Sequence, residues 1–237
     1  MERIQKIRKE EKVYHDYCYE NYRLFESGTW LHKPVKTVMD ILPAFEDYES
    51  VNVLDLGSGV GRNSIPIAGW LRESGKTGQV VCVDLLDSAI EKLTRYSKEF
   101  DVTNIIHPIK SSIESFVIPE SSYDLIVAVS SIEHVESEAA LGTVLKNMAK
   151  GTKSGGITCI IINSEIQEID MGTGEQLEVN VEVNISTQNM QRILQKEFSG
   201  WTETKSLVKL LKYKITRDHR EVLMKTNAIT YVVKKQG

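Results

Sequence analysis

The stretch VNVLDLGSGVGRNS, Val51 to Ser64, sets Gly57, Gly59 and Gly61 into five positions directly behind a run of aliphatic residues. A strand that ends in a glycine turn and opens into a helix leaves backbone N–H groups unpaired at the helix N-terminus, aimed at whatever lies in front of them. The residues that follow, RNSIPIAGWLRE, place Ile65, Ile67, Ala68 and Leu71 on one side of such a helix. The unit reads as strand, binding turn and helix.

The same alternation continues outward. QVVCVDL repeats the strand signal, and Asp87 or Ser88 is the expected N-cap of AIEKLTRYSKEF, whose Ile90, Leu93 and Phe100 face a sheet. TNIIHPI is a third short strand. YDLIVAVSSI is the continuous apolar run of a strand buried on both faces, EAALGTVLKNMAKGTKSGG is a helix ending in a glycine turn, and ITCIIIN is a fifth strand. Parallel neighbours need crossover connections, usually helical and right-handed, so this order predicts a doubly wound parallel sheet.

Beyond Asn163 the pattern changes. SEIQEIDMGTGEQLEVNVEVN reads as acidic and irregular and STQNMQRILQKEF as a helix. SLVKLLKYKIT and AITYVVKK read as strands, joined by RDHREVLMKTN into an antiparallel pair that closes one sheet edge. Upstream, EKVYHDYCYENYRLF and PVKTVMDILPAF are helical, with Pro34 in the first turn. The expectation is an α/β fold with a doubly wound, mostly parallel, seven-stranded Rossmann-like sheet, an antiparallel carboxyl-terminal strand and an amino-terminal helical extension. One domain is expected, with residues 1–50 as extension or lid, 51–163 as cofactor-binding core, and 164–237 as acceptor-side flap, helix and closing strands.

Composition narrows the function. The chain has 237 residues with a net charge of -4, which gives no global electrostatic reason to expect nucleic acid or an anionic membrane as partner. Cys18, Cys82 and Cys159 are far apart and form no C-x-x-C pair, so neither a disulfide framework nor a zinc site is predicted. His15, His107 and His219 stand alone, without carboxylate or cysteine at ligand spacing, and no metal role is expected. His32 reads as a surface residue. MERIQKIRKEEK lacks an apolar signal region, and no apolar run reaches about 18 residues, so a cytoplasmic protein is expected.

Two cofactor readings compete for the glycine turn. A dinucleotide site needs G-x-G-x-x-G, whose third glycine allows close helix packing. Here the spacing is G-x-G-x-G, and Asp55 stands two residues before the first glycine. That carboxylate opposes a pyrophosphate but suits a cofactor with an ammonium group and a sulfonium. Asp84, closing VVCVD twenty-three residues beyond Gly61, would lie beside the turn and accept hydrogen bonds from both hydroxyls of a ribose. The plainer reading of Asp84 is a helix cap.

Taken together, VLDLGSGVGRN, VVCVDLLDSAIEKL, SSIESF and YDLIVAVSSIEHV resemble the class I S-adenosylmethionine-dependent methyltransferases, in the order and spacing of that family, over Val51 to Asn163. Within it, GRNSIPIA is similar to the tellurite-resistance type and SSIEHV to quinone-biosynthesis enzymes. The resemblance implies that Gly57, Ser58 and Gly59 approach the methionine half of the cofactor, with Asp55 near its ammonium group and Gly61, Asn63 and Ser130 beside the pocket. It implies Asp84 on the ribose, Leu85 against adenine, and Ser112 and Ile113 at the adenine edge. Serine stands at 112 where the family often has an acid, so the adenine amino group lacks that partner. The chain has no N-P-P-Y run and no P-C pair, which leaves a small-molecule acceptor as the expected substrate. Another enzyme class on the same fold (aminopropyl transfer or nicotinamide chemistry) and a non-catalytic cofactor-binding protein are the alternatives.

Methyl transfer from a sulfonium is an in-line displacement with a neutral leaving group, so positioning does much of the work. A base helps where the acceptor must lose a proton. His134, beside Glu133 after the fourth strand, is the candidate, with a pH limb expected near the ordinary imidazole value of about 6.5; the alternative is that it shapes the pocket. Neighbouring positions in a strand face apart, so Glu133 and His134 are not expected to pair simply. Among Tyr14, Tyr17, Tyr19, Tyr22, Phe25 and Trp30, the last and Tyr22 are the candidate lid and substrate contacts. Glu165 to Glu182 holds six acids and no Lys or Arg. It reads either as a solvated loop or as a flap that disfavours anionic acceptors.

Overall fold

The computed structural model describes residues 2–217 and 220–237. Along the chain run α1 (Glu2–Asn21), α2 (Lys36–Ile41) continued by a 3-10 turn, β1 (Ser50–Leu56), α3 (Ser64–Glu73), β2 (Thr77–Asp84), α4 (Asp87–Glu99), β3 (Ile106–Lys110) and β4 (Tyr123–Val129). A second 3-10 turn (Ile132–His134) leads to α5 (Glu138–Gly151), β5 (Thr152–Asp170), β6 (Gln176–Leu177), α6 (Thr187–Glu197), β7 (Thr202–Arg217) and β8 (Arg220–Lys234).

The sheet order is β3-β2-β1-β4-β5-β8-β7, with β6 paired to β5. β3, β2, β1, β4 and β5 are parallel to one another, β8 is antiparallel to β5, and β7 is antiparallel to β8. The chain winds away from β1 in one direction through β2 and β3, then returns to lay β4 and β5 on the other side. Ligands of such sheets bind at that reversal, beyond the carboxyl ends of the strands.

Alternation along β1 builds two cores. Val51 and Val53 pack with Ile65, Ile67 and Leu71 of α3 and Leu93 of α4 on one face, while Leu54 and Leu56 pack with Leu141 and Leu145 of α5 and Met190 and Leu194 of α6 on the other. Each fully buried aliphatic side chain contributes about 1.5–3 kcal/mol, so the sheet is held from both sides before any polar site is considered. No described helix is long and apolar enough to cross a membrane. The three cysteines are free and buried.

Local expectations are corrected in four places. The N-cap of α4 is Leu86, and Asp87 is the first helical residue, where its charge complements the helix dipole. Pro34 precedes the N-cap Val35 of α2, outside the first turn. SEIQEID, expected to be irregular, continues β5: Ser164, Ile166, Glu168 and Asp170 are buried and alternate with less buried neighbours. Its inward positions are mostly polar, which hid a period-two strand from hydropathy. Most of the expected linker RDHREVLMKTN is likewise strand, since β8 begins at Arg220; His219 lies outside the described residues.

Candidate active site

The glycine turn is locked from beneath. The N–H groups of Gly57 and Ser58 donate to the Val83 carbonyl at the end of β2, at 2.8 and 3.0 Å. Gly57 has φ +75, and a Cβ there would lie 2.2 Å from Cβ of Ser131, in the loop after β4. Gly61 has φ +94, and a Cβ would lie 2.5 Å from Cδ1 of Leu93, so the third glycine lets α3 begin against α4. Asp55 is 1% exposed and accepts a 2.5 Å hydrogen bond from the Ser64 hydroxyl. Burial pushes its carboxyl up to about 6, against the opposing pull of Ser64 and the Arg62 guanidinium. The Ser58 hydroxyl is buried without a partner.

Asp84 stands at the end of β2 with both carboxylate oxygens engaged by backbone. One carboxylate oxygen accepts the Gly59 N–H at 2.8 Å and the other accepts the Leu86 N–H at 3.0 Å. The residue therefore ties the turn and caps the entry to α4. Each carboxylate oxygen has a second acceptor site open to a hydroxyl. Burial raises its pKa, against those backbone hydrogen bonds and the nearby His15. Leu85 beside it is 48% exposed. Ile113 reaches the turn, its Cδ1 lying 3.6 Å from a Cβ built on Gly57. The Ser112 side chain is committed to its own turn, accepting the Ser115 N–H at 3.1 Å and donating to the Ser115 hydroxyl at 2.8 Å. Ser130, φ +49, is exposed just past β4. The Asn63 side-chain oxygen accepts the Val35 N–H at 2.9 Å and so tethers the amino-terminal segment. The unpartnered serine, the two acids and the glycine cradle suit a nucleoside carrying an amino-acid tail.

Helix α1 lies along the carboxyl edge of the sheet. Asp16 accepts from Ser88 after β2, and Arg8 pairs with Glu114 after β3 and Glu136 after β4, at 3.1 and 3.2 Å. Arg3 donates to the Val181 carbonyl at 2.9 Å. Tyr19, 3% exposed, brings its hydroxyl to 3.0 Å from a Cβ built on Gly59. His15 stacks between Tyr19 and Trp30, with ring centroids 5.6 and 6.0 Å away, and its Nδ1 is buried without a partner. Arg62 lies 5.4 Å over the Trp30 ring and donates to the Trp30 carbonyl at 2.9 Å. Trp30 thus stands at this cover, whereas Tyr22 turns edge-on to Tyr17 and packs on the core. His32 is half-buried against Ser27.

Glu133 and His134 diverge. Glu133 is 1% exposed and its Oε1 accepts from the Asn163 side chain at 2.7 Å, while Oε2 is buried without a partner. His134 is half-buried, with Nδ1 3.0 Å from Glu182. Burial disfavours the charged imidazole, but the Glu182 hydrogen bond and the charges of Glu133 and Glu11 outweigh it and push the pKa up to about 9. The acids of 165–182 are not simply solvated: Glu168 pairs with Arg217, Asp170 with Arg220 at 3.6 Å, and Glu182 with His134 and Arg8. These three of the six acids are therefore paired within the fold. Sequence reading missed Tyr19, His15, Arg62 and Glu182 as site residues. Arg62, adjoining the third glycine, was the one with a local signal.

Residues 53–156 match the family model for a methyltransferase domain. No curated protein sequence matches the chain. Among solved structures, the YcgJ protein from Bacillus subtilis superposes with a TM-score of 0.61 at 12% identity, covering 85% of this chain and 98% of that one. TehB from Haemophilus influenzae gives 0.60 at 18% identity, covering 94% and 67%. A SAM-dependent methyltransferase from Methanosarcina mazei gives 0.58 at 13% identity, covering 86% and 99%. At these identities the likeness establishes the fold, and the glycine turn with Asp55 and Asp84 lies inside the residues that the family model matches. Motif, family model and fold agree on a methyltransferase domain at residues 53–156 of this chain.

Proposed function

We propose that the enzyme methylates a small-molecule acceptor by in-line displacement, in a site covered by residues 1–50 and flanked on the acceptor side by residues 164–237. S-adenosylmethionine supplies a methyl carbon on a sulfonium, so the carbon–sulfur bond breaks with its electron pair staying on sulfur. The chain's part is to bind, orient and dry the site. Asp55 would hold the cofactor's ammonium group, Asp84 its ribose hydroxyls, and Leu85 and Ile113 its adenine. Ser58, with an unpaired hydroxyl, faces the amino-acid half. His134 takes the acceptor's proton where there is one to take.

The observation that carries the small-molecule reading is the seating of α1 over the glycine turn, with the Tyr19 hydroxyl above Gly59 and Trp30 and Arg62 alongside. A cover of this kind supports a small acceptor, because it narrows the approach to the turn and helps to exclude water. The test is calorimetry with S-adenosylmethionine, S-adenosylhomocysteine and NAD, followed by a radiolabelled methyl-transfer screen over phenols, thiols, amines and carboxylates beside protein and nucleic-acid acceptors. Labelling of macromolecules with no small acceptor turned over would overturn the reading.

A further inference from the structure

The methyl-transfer reading leaves the buried carboxylate of Glu182 without a role. The Glu182 side chain is 1% exposed, with Oε2 3.0 Å from Nδ1 of His134 and Oε1 3.6 Å from Nε of Arg8 on α1. Its placement is enforced by backbone. The Val183 N–H donates to the Glu133 carbonyl at 3.1 Å, which fastens the segment between β6 and α6 to the turn that carries His134. Val181 and Val183 on either side are buried and anchor the segment in register. A carboxylate only accepts, so Nδ1 of His134 carries the hydrogen and Nε2 is the nitrogen left for another partner.

We propose that Glu182 is the positioning residue of the acceptor site, holding His134 in the tautomer and orientation that present Nε2 to the acceptor. This rests on the reading of His134 as the base. In the transfer one proton moves, from the acceptor's heteroatom to Nε2, while the hydrogen on Nδ1 stays bonded to nitrogen and donated to Glu182. The methyl carbon bonds to the heteroatom as its bond to sulfur breaks. Because the carboxylate comes from the segment after β6 and is clamped by Arg8 of α1, the base is assembled only when both are docked against the sheet edge. A buried carboxylate needs partners for its charge, and here the His134 ring and the Arg8 guanidinium supply them.

The charged groups that face the imidazole are Glu182, Glu133 on its own turn and Glu11 on α1, with Arg8 against Glu182 and the charge of Arg217 felt at Glu11. Of these, the three carboxylates hold the imidazolium to about pH 9, against the burial of the ring. The neutral form that accepts a proton therefore grows in as pH rises toward that value.

The experiment follows the His134 ring by NMR titration in the full chain without cofactor, in the wild type, in Glu182→Gln and in Glu182→Asp. The glutamine keeps an acceptor for Nδ1–H but removes the charge, and the aspartate keeps the charge one methylene further off. The expected result is a wild-type midpoint near 9 with hydrogen on Nδ1 in the neutral ring, a fall toward about 6.5 in Glu182→Gln, and an intermediate value in Glu182→Asp. The pH limb of turnover should move in parallel, with cofactor affinity unchanged. A wild-type midpoint near 6.5, or one unmoved by Glu182→Gln, overturns the proposal. The base reading fails separately: unimpaired turnover in His134→Ala would sink it whatever the titration shows.

Discussion

Gly57→Ala separates two reasons for glycine at the head of the binding turn. The residue has φ +75, where an alanine costs about 1 kcal/mol, and the new Cβ would lie 2.2 Å from Cβ of Ser131. Neither atom belongs to a flexible side-chain end, so the backbone must yield, at a cost of about 1–3 kcal/mol for overpacking. The sum is about 2–4 kcal/mol, which for a chain of this length lowers Tm by roughly 5–15 °C. Ser131→Gly removes the opposing Cβ, at the expense of the 2.7 Å hydrogen bond from its hydroxyl to the Leu56 carbonyl, worth about 1 kcal/mol. Thermal and urea unfolding of the two single variants and the double variant complete a cycle, in which the contact predicts a favourable coupling of about 1–3 kcal/mol. Calorimetry with S-adenosylhomocysteine on the same four proteins adds the functional reading. If the glycine serves packing alone, Ser131→Gly restores cofactor binding together with stability; if the cofactor itself needs the bare Cα, stability returns and binding does not. Additive losses, with coupling near zero, would refute the packing argument.

Asp84→Ala should weaken cofactor binding by about 1.5–3 kcal/mol and should also lower Tm, because the Gly59 and Leu86 N–H groups lose their acceptor; an unchanged Tm by calorimetric scan would contradict that tethering role. The Asp55 carboxyl, raised to about 6 from an ordinary 3.8, destabilises the fold progressively as pH rises through that window. Pairing with the cofactor's ammonium group requires the ionised form, so affinity should decline as pH falls below about 6, with proton release on binding seen by calorimetry in two buffers. Affinity that is flat from pH 5 to 7 would remove Asp55 from the site. Arg8→Ala deprives Glu114, Glu136 and Glu182 of a shared cation, and hydrogen exchange should speed up along α1 relative to β1 and β4. Equal protection in the variant would mean that α1 is held by its apolar contacts alone.

The parts of the site that were legible in the sequence are the local ones. Gly57, Gly59, Gly61, Asp55 and Asp84 were readable because a strand, its turn and the next helix are continuous in the chain, and the geometry of that unit follows from residue spacing. Asp84 was placed correctly at the strand end, but its hydrogen bonds to Gly59 and Leu86 were not foreseen. The side chains of Asn63 and Ser112, read from their motif positions, bond to Val35 and Ser115. Motif position locates a backbone; it says little about which of several nearby donors a short polar side chain will satisfy.

Sequence by itself determined the winding of the sheet, since apolar runs alternating with amphipathic helices admit few right-handed arrangements, and it determined which strand ends carry the cofactor loop. Tertiary structure alone decided what stands opposite that loop. The Glu182 partner of His134 is 48 residues away, Arg8 reaches Glu136 across 128 residues, and Tyr19 covers Gly59 from a separate helix. Contacts of that span leave no period in the sequence, because they depend on where two independently formed elements meet at one sheet edge. The strand Ser164 to Asp170 was hidden for a related reason. Its buried positions are mostly polar, and the partners of Glu168 and Asp170, Arg217 and Arg220, are supplied by the hairpin that packs against it.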